Sequence, residues 1–299
     1  MDRSTLQGVL LSFLAFAAYA VSDASVKLLH GSLSAYEAVF FGALSGVVAL
    51  PWLKARGEGY GAIFRPRRRG MWLLRAVAAL CGSVGSVTAF THLSMAEAFC
   101  LIFLMPSFVT LLSVLFLKEP VGWRRWLAVI LGFVGVLVVL RPGFRELNIG
   151  HLGAVAGGLS GAVTVVMMRA YGHLESRLSL YGAGLVGPVL VAGLLMLPDF
   201  VWPTPLQWVW LMGYGLLMAL ANVLVMLASQ RAPASLVAPA QYSQMLWAIA
   251  FGYLVFGDAL EPVMALGVAI IILSGILTFL REKVRQPKGW ARAPAVHPQ

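Results

Sequence analysis

The chain has 299 residues, 60% of them hydrophobic and only 11% charged, with a mean hydropathy of +0.85 and a formal net charge of +10. Soluble domains run about 45–50% apolar and about 25% charged, so this composition excludes a soluble globular enzyme, a disordered chain and a secreted disulfide scaffold. It leaves a polytopic membrane protein, whose basic excess reports on bilayer sidedness rather than on nucleic acid.

A helix needs about 20 apolar residues to cross the hydrocarbon core. Ten such segments follow one another, at approximately 6–25, 35–53, 71–91, 95–117, 124–141, 149–168, 179–197, 207–229, 233–256 and 263–281. The run from Leu6 to Val21 has the look of a signal peptide, but equally apolar segments follow it, so it is read as a retained first helix. Arg65-Pro66-Arg67-Arg68-Arg69-Gly70, Lys118-Glu119-Pro120, Arg141-Pro142-Gly143 and Pro198-Asp199 to Pro205 break the apolar runs with turn-forming and charged residues. The His92–Ser94 connection makes helices 3 and 4 a tight hairpin.

Lysine and arginine set the orientation. With the N-terminus inside, nearly all of the 22 basic residues fall in inner segments, and only Lys27, Arg141 and Arg145 fall outside. Arg75, near the inner end of helix 3, can snorkel to the interface. Both termini are therefore expected in the cytoplasm, with Arg65–Arg69 a topology determinant on an inner loop or an anionic-lipid patch.

The second half echoes the first. Phe116–Glu119 aligns with Val255–Asp258, Gly135 with Gly275 and Arg141 with Arg281. Five helices per copy is an odd number, so the second copy enters the membrane in the opposite sense. The expected fold is an all-α integral membrane protein of ten transmembrane helices in two inverted five-helix repeats. The first repeat is 1–143, the second 144–285, and 286–299 is a cytoplasmic tail. Such folds place substrate sites near the midplane, between the repeats.

Charged residues inside a span are costly and become functional candidates. None lies near the middle of a predicted span. Asp23 and Lys27, four apart at the outer end of helix 1, can pair along one face. Were protons coupled to transport, Asp23, Glu97 or His92 would carry them. Polar but uncharged groups do enter: Gln241, Tyr242 and Gln244 on helix 9, and Asn222 on helix 8. They line a wet cavity or bond between helices. Phe99 and Phe103 share a face of helix 4. Tyr19, Phe90, His92 and Trp247 are further candidates. Gly157 and Gly161, Gly82 and Gly85, and Gly132 and Gly135 allow close helix approach. Pro106, Pro188 and Pro239 interrupt helices 4, 7 and 9. Cys81, Cys100 and the five histidines (His30, His92, His151, His173, His297) show no metal-ligand spacing, so no metal, cofactor or catalytic residue is expected.

The ten spans, with Lys118-Glu119-Pro120 after helix 4 and Arg141-Pro142-Gly143 after helix 5, resemble the drug/metabolite transporter superfamily, and specifically the EamA-type bacterial exporters. Phe103-Leu104-Met105-Pro106-Ser107 resembles the helix 4 segment of inner-membrane exporters of aromatic amino acids, with Met105 standing where that pattern has tryptophan. The resemblance implies a bacterial inner-membrane exporter of aromatic and other neutral amino acids working by alternating access, with a broader range than strictly aromatic. Its partners would be an amino acid and the lipid bilayer, not nucleic acid. The substrate-binding set is Tyr19, Phe90, His92, Phe99, Phe103, Asn222, Gln241, Tyr242 and Gln244. The alternatives are a drug or small-metabolite carrier on the same fold, or an intramembrane enzyme, for which the spans offer no catalytic constellation. An interior without fixed charge suits a zwitterion.

Overall fold

The computed structural model describes residues 3–29, 31–54, 57–118, 121–140, 146–171, 174–232, 237–258 and 261–285. The tail 286–299, His30, His173, Pro120 and 141–145 lie outside them. The described chain is helical throughout: α1 (Arg3–Lys27), α2 (Ala35–Leu53), α3 (Arg69–His92), α4 (Met95–Leu117), α5 (Trp123–Leu140), α6 (Ile149–Tyr171), α7 (Arg177–Leu195), α8 (Pro205–Arg231), α9 (Ser243–Phe256) and α10 (Pro262–Arg285). Seven of these, α1 to α4 and α6 to α8, contain stretches long and apolar enough to cross a membrane on their own, while α5 and α10 offer shorter apolar stretches.

Local chemistry explains where the helices start and bend. Ser34 caps α2 in a capping box with Glu37, and Thr204 caps α8 with Gln207 ahead of Pro205; each box satisfies orphan N–H groups at a helix start. Helix α4 breaks at Phe103-Leu104 and restarts at Met105. Pro106 supplies no N–H to the carbonyl of Ile102, and that oxygen instead lies against Gly158 of α6. At Pro188, α7 widens into a π-helical turn over Pro188–Ala192. Regular α9 begins at Ser243, after a 3-10 turn over Ala238–Tyr242 at the expected Pro239 interruption of the span from 233. Residues 233–236 fall outside the described set.

The packing obeys a two-fold exchange of helix n for helix n+5. Helix α1 packs on α8, and α3 on α6; α2 meets α7, α4 meets α9 and α5 meets α10. Among the described residues, the three equivalent pairs that touch run antiparallel. Phe40 lies against Gly193 and Gly46 against Leu185 on α2 and α7, while Gly132 meets Ser274 and Gly135 meets Gly267 on α5 and α10. Met95 meets Gly252 at one end of the α4–α9 pair, and the Phe103 ring meets the Tyr242 ring at the other. Antiparallel equivalents are what an inverted repeat requires. The backbone at the repeat register agrees: Lys118 after α4 and Gly257 after α9 both adopt left-handed conformations, with φ of 52° and 66°. Only glycine does so without strain.

Helix α3 crosses α6 closely, backbone against backbone. A Cβ on Gly85 would lie 2.5 Å from the Gly153 carbonyl oxygen, and one on Gly153 would lie 2.5 Å from that of Gly85. The expected Gly157–Gly161 pair serves two helices, Gly157 facing Ser86 of α3 and Gly161 facing Met105 of α4. Across α5 and α10, Ser274 donates to the Ala128 carbonyl at 2.6 Å. Leucines, valines and aromatic residues on the outer faces of α1, α3 and α5 are exposed, as a lipid-facing surface demands.

The two ends of the bundle differ. At the end where α1, α3 and α9 finish and α4 and α6 begin (the Lys27 end), one large cluster of buried residues joins both repeats. At the opposite, Arg75 end, the buried core divides into two small clusters, around Leu50, Ile63 and Leu178 and around Ala228, Ala232 and Val237.

Candidate functional site

Between the repeats lies a cavity of about 300 Å³, walled by α2 and α3 from the first repeat and α6, α7 and α8 from the second. Small residues make it: Gly42, Gly46, Gly82, Gly157, Gly161 and Gly184 all line it. Its polar surface comes from Ser83 and Ser86 of α3, Ser160 and Thr164 of α6, Tyr181 of α7 and Asn222 of α8. Three of these groups donate hydrogen bonds within the bundle. Tyr181 donates to the Gly46 carbonyl at 3.0 Å, Thr164 to Ser160 at 3.0 Å, and the Asn222 amide to Met218 at 2.9 Å.

Arg75 is the exception, and it overturns the expectation of an uncharged interior. Two turns into α3, its guanidinium does not snorkel out. It lines the cavity, lies against Gly184 of α7, and donates from Nη1 to Thr164 Oγ1 at 3.4 Å. Its Nε is buried without a hydrogen-bond partner. A fixed cation with spare donors in an otherwise neutral cavity is an anion-binding feature.

The second correction concerns Asp23 and Lys27, which do not pair with each other. Lys27 Nζ lies 2.6 Å from Asp258 Oδ2, and that same oxygen accepts the Met95 N–H at 3.1 Å. Lys27 also sits 4.8 Å over the Phe256 ring. Asp23 instead accepts a hydrogen bond from Gln244 Nε2 at 3.0 Å. A third inter-repeat polar contact joins Glu97 Oε1 to His151 Nε2 at 3.3 Å. The Lys27–Asp258 and Glu97–His151 contacts both fasten the Lys27 end.

The sequence-derived candidates separate into groups. Asn222 lines the cavity. Tyr19 stands within electrostatic reach of Arg75, Tyr181 and Asp23. Phe90, Phe99, Phe103 and Tyr242 form a continuous row of rings with centroids 5.2, 6.1 and 5.8 Å apart. The three phenylalanines are buried in the large core, Tyr242 packs against it, and none of the four lines the cavity. His92 is exposed at the end of α3, bonded through Nδ1 to its own helix. Gln244 holds Asp23, and Gln241 is half-buried beside it. Sequence reasoning missed Arg75, Thr164 and Tyr181 as site residues. An arginine inside the apolar run Met71–Leu80 was the available signal.

With this geometry in place, the chain was compared with known proteins. The EamA-like transporter family matches residues 6–141 and again residues 148–280. A riboflavin transporter of Vibrio cholerae is 30% identical, over 90% of this chain and 91% of its own. A pseudopaline exporter of Pseudomonas aeruginosa is 29% identical, over 90% and 94%. An S-adenosylmethionine uptake transporter of Rickettsia prowazekii is 22% identical, over 94% and 95%. One solved crystal structure shares the fold with a TM-score of 0.63 at 18% identity, covering 94% of this chain and 99% of that one. The chain belongs to the EamA-like transporter family, and it is a multi-pass membrane transporter of small molecules.

Proposed function

We propose that this transporter exports amino acids and closely related metabolites by alternating access, with the substrate's carboxylate met by Arg75. The observation that carries the reading is a buried guanidinium with an unpartnered Nε, placed in an inter-repeat cavity whose other polar groups are neutral. A charged hydrogen bond to a carboxylate is worth about 1.5–3 kcal/mol, and a low-dielectric site strengthens it further. Asn222 completes the polar surround, Tyr19 stands within electrostatic reach of Arg75, and Tyr181 and Tyr214 add aromatic surface for an apolar side chain. The Phe90–Phe99–Phe103–Tyr242 row packs the closed end and supports the cavity from beyond it.

The charge distribution supports a bacterial inner-membrane protein with both termini in the cytoplasm. On that orientation the continuous core, the Lys27–Asp258 ion pair and the Glu97–His151 contact seal the periplasmic side. The cavity then faces the side on which its core is divided, which suits loading from the cytoplasm. Rocking of the repeats about their interface would move the seal from one end to the other.

A second reading is a carrier of riboflavin-like planar metabolites. It is favoured by the 30% identity to a relative named as a riboflavin transporter and by the two cavity tyrosines. Proteoliposomes loaded with labelled phenylalanine or labelled riboflavin separate the two. Export of phenylalanine above empty liposomes, lost in Arg75→Gln, supports the amino-acid reading. Movement of riboflavin alone replaces it with the second.

A further inference from the structure

The cavity leaves one carboxyl within a span unexplained. Asp23 lies within the α1 span, and its bond is to the neutral amide of Gln244 on the opposite repeat. The cation one turn along, Lys27, is engaged by Asp258. Among the described residues, no lysine, arginine or histidine stands within ion-pair distance of Asp23. The ionisable groups around it are Tyr19 on α1 and Tyr214 on α8, while Arg75 of α3 acts on Tyr19. Neighbouring Ser22 donates to the Tyr214 carbonyl at 2.7 Å, and Tyr214 lines the cavity. The carboxyl therefore stands beside the cavity, at a contact between the two repeats.

The repeat supplies a control. At the register that aligns Phe116–Glu119 with Val255–Asp258, Gln244 corresponds to Met105. The α4–α6 contact equivalent to α9–α1 is made there by Met105 against Gly161 and the Ile102 carbonyl against Gly158. That contact is made by an apolar side chain and a backbone carbonyl against glycine. A carboxylate without a counter-charge in a span is costly and has no packing role to justify it.

We propose that Asp23 is the coupling site of the transporter, binding a proton that moves opposite to the substrate. The inference rests on the carrier reading above. In the structure's conformation the Gln244 amide donates to the Asp23 carboxyl at 3.0 Å. When the repeats rock and α9 leaves α1, that donor is withdrawn, and the carboxylate takes a proton from water on the newly opened side. On return, the carboxyl O–H bond breaks, the proton passes to water on the cytoplasmic side, and the Gln244 bond reforms. One proton enters for each one released, with no redox step.

The test uses the full chain in proteoliposomes, with labelled phenylalanine and riboflavin as probes. Gradient-driven accumulation under an imposed pH difference is compared with counterflow at equal pH. Asp23→Asn is expected to lower gradient-driven accumulation at least about tenfold while keeping counterflow within about threefold of wild type. Asp23→Glu should recover the gradient response. The proposal is overturned if Asp23→Asn still accumulates substrate from the gradient. It is equally overturned if the folded variant loses counterflow as well, which would make Asp23 a substrate contact. Wild-type protein gives a check independent of any variant's folding: a protonophore must abolish accumulation, and persistence sinks the proposal. Failure of the amino-acid reading looks different, because riboflavin alone would then move and would still show the gradient dependence.

Discussion

The α1–α9 contact and its counterpart, α6–α4, close the same kind of interface with different chemistry. On one side Asp23 meets Gln244 and Lys27 meets Asp258. On the other, glycines of α6 take Met105 and the freed carbonyl of Ile102, with a Glu97–His151 contact at the helix ends. Small-residue packing is sufficient to associate helices in lipid. The buried acid on one side is therefore an addition to the fold rather than part of its cement. Among the described residues, the Lys27–Asp258 and Glu97–His151 contacts both fall at the Lys27 end. With these contacts in place, the carrier is fastened at the Lys27 end.

Variants on either side of this comparison should differ in what they break. The largest effect is expected from Gly153→Val, which drives a side chain into the Gly85 carbonyl. Overpacking costs roughly 1–3 kcal/mol and often more against rigid backbone, so the yield of monodisperse protein should collapse; normal yield would refute the close-packing account. Next, Arg75→Gln should leave the protein folded and cut amino-acid affinity by about 30-fold, corresponding to about 2 kcal/mol of lost charged hydrogen bonding. Competition uptake reads that loss. Lys27→Ala removes the cation from Asp258 and unfastens one end. It should raise labelling of a cysteine introduced at that end several-fold, with about 1–2 kcal/mol lost from stability. The smallest effect is expected for Met105→Gln, which places the α9 amide on the α4 side. With no acid opposite, transport and its pH dependence should stay within about twofold. A large change there would mean that the two interfaces are not independent in the way the repeat suggests.

Much of the scaffold was legible because lipid imposes simple rules. Hydropathy located the spans, and the odd helix number per copy dictated inversion. The register set by Phe116–Glu119 and Val255–Asp258 was accurate enough to pair Lys118 with Gly257, which share a left-handed backbone. The site was harder to read. Arg75 lies close enough to a helix end that an exposed head group and a buried one have the same sequence spacing. Its choice is made by Thr164 and by the space over Gly184, both remote in sequence. Asp23 and Lys27 have the i, i+4 spacing of a pair, but tertiary partners on α9 and beyond outcompete that local contact. The aromatic row of Phe90, Phe99, Phe103 and Tyr242 was found by helical spacing, which cannot tell a core face from a cavity face.

The measurement that bears most directly on the central claim is uptake of labelled phenylalanine into proteoliposomes containing wild-type or Arg75→Gln protein. Each is to be shown folded by size-exclusion profile and thermal stability. The account predicts transport above empty liposomes for wild type and a loss of about tenfold or more at subsaturating substrate for the folded variant. Equal transport by the two proteins would contradict it, because the cavity cation would then have no part in binding what the protein carries.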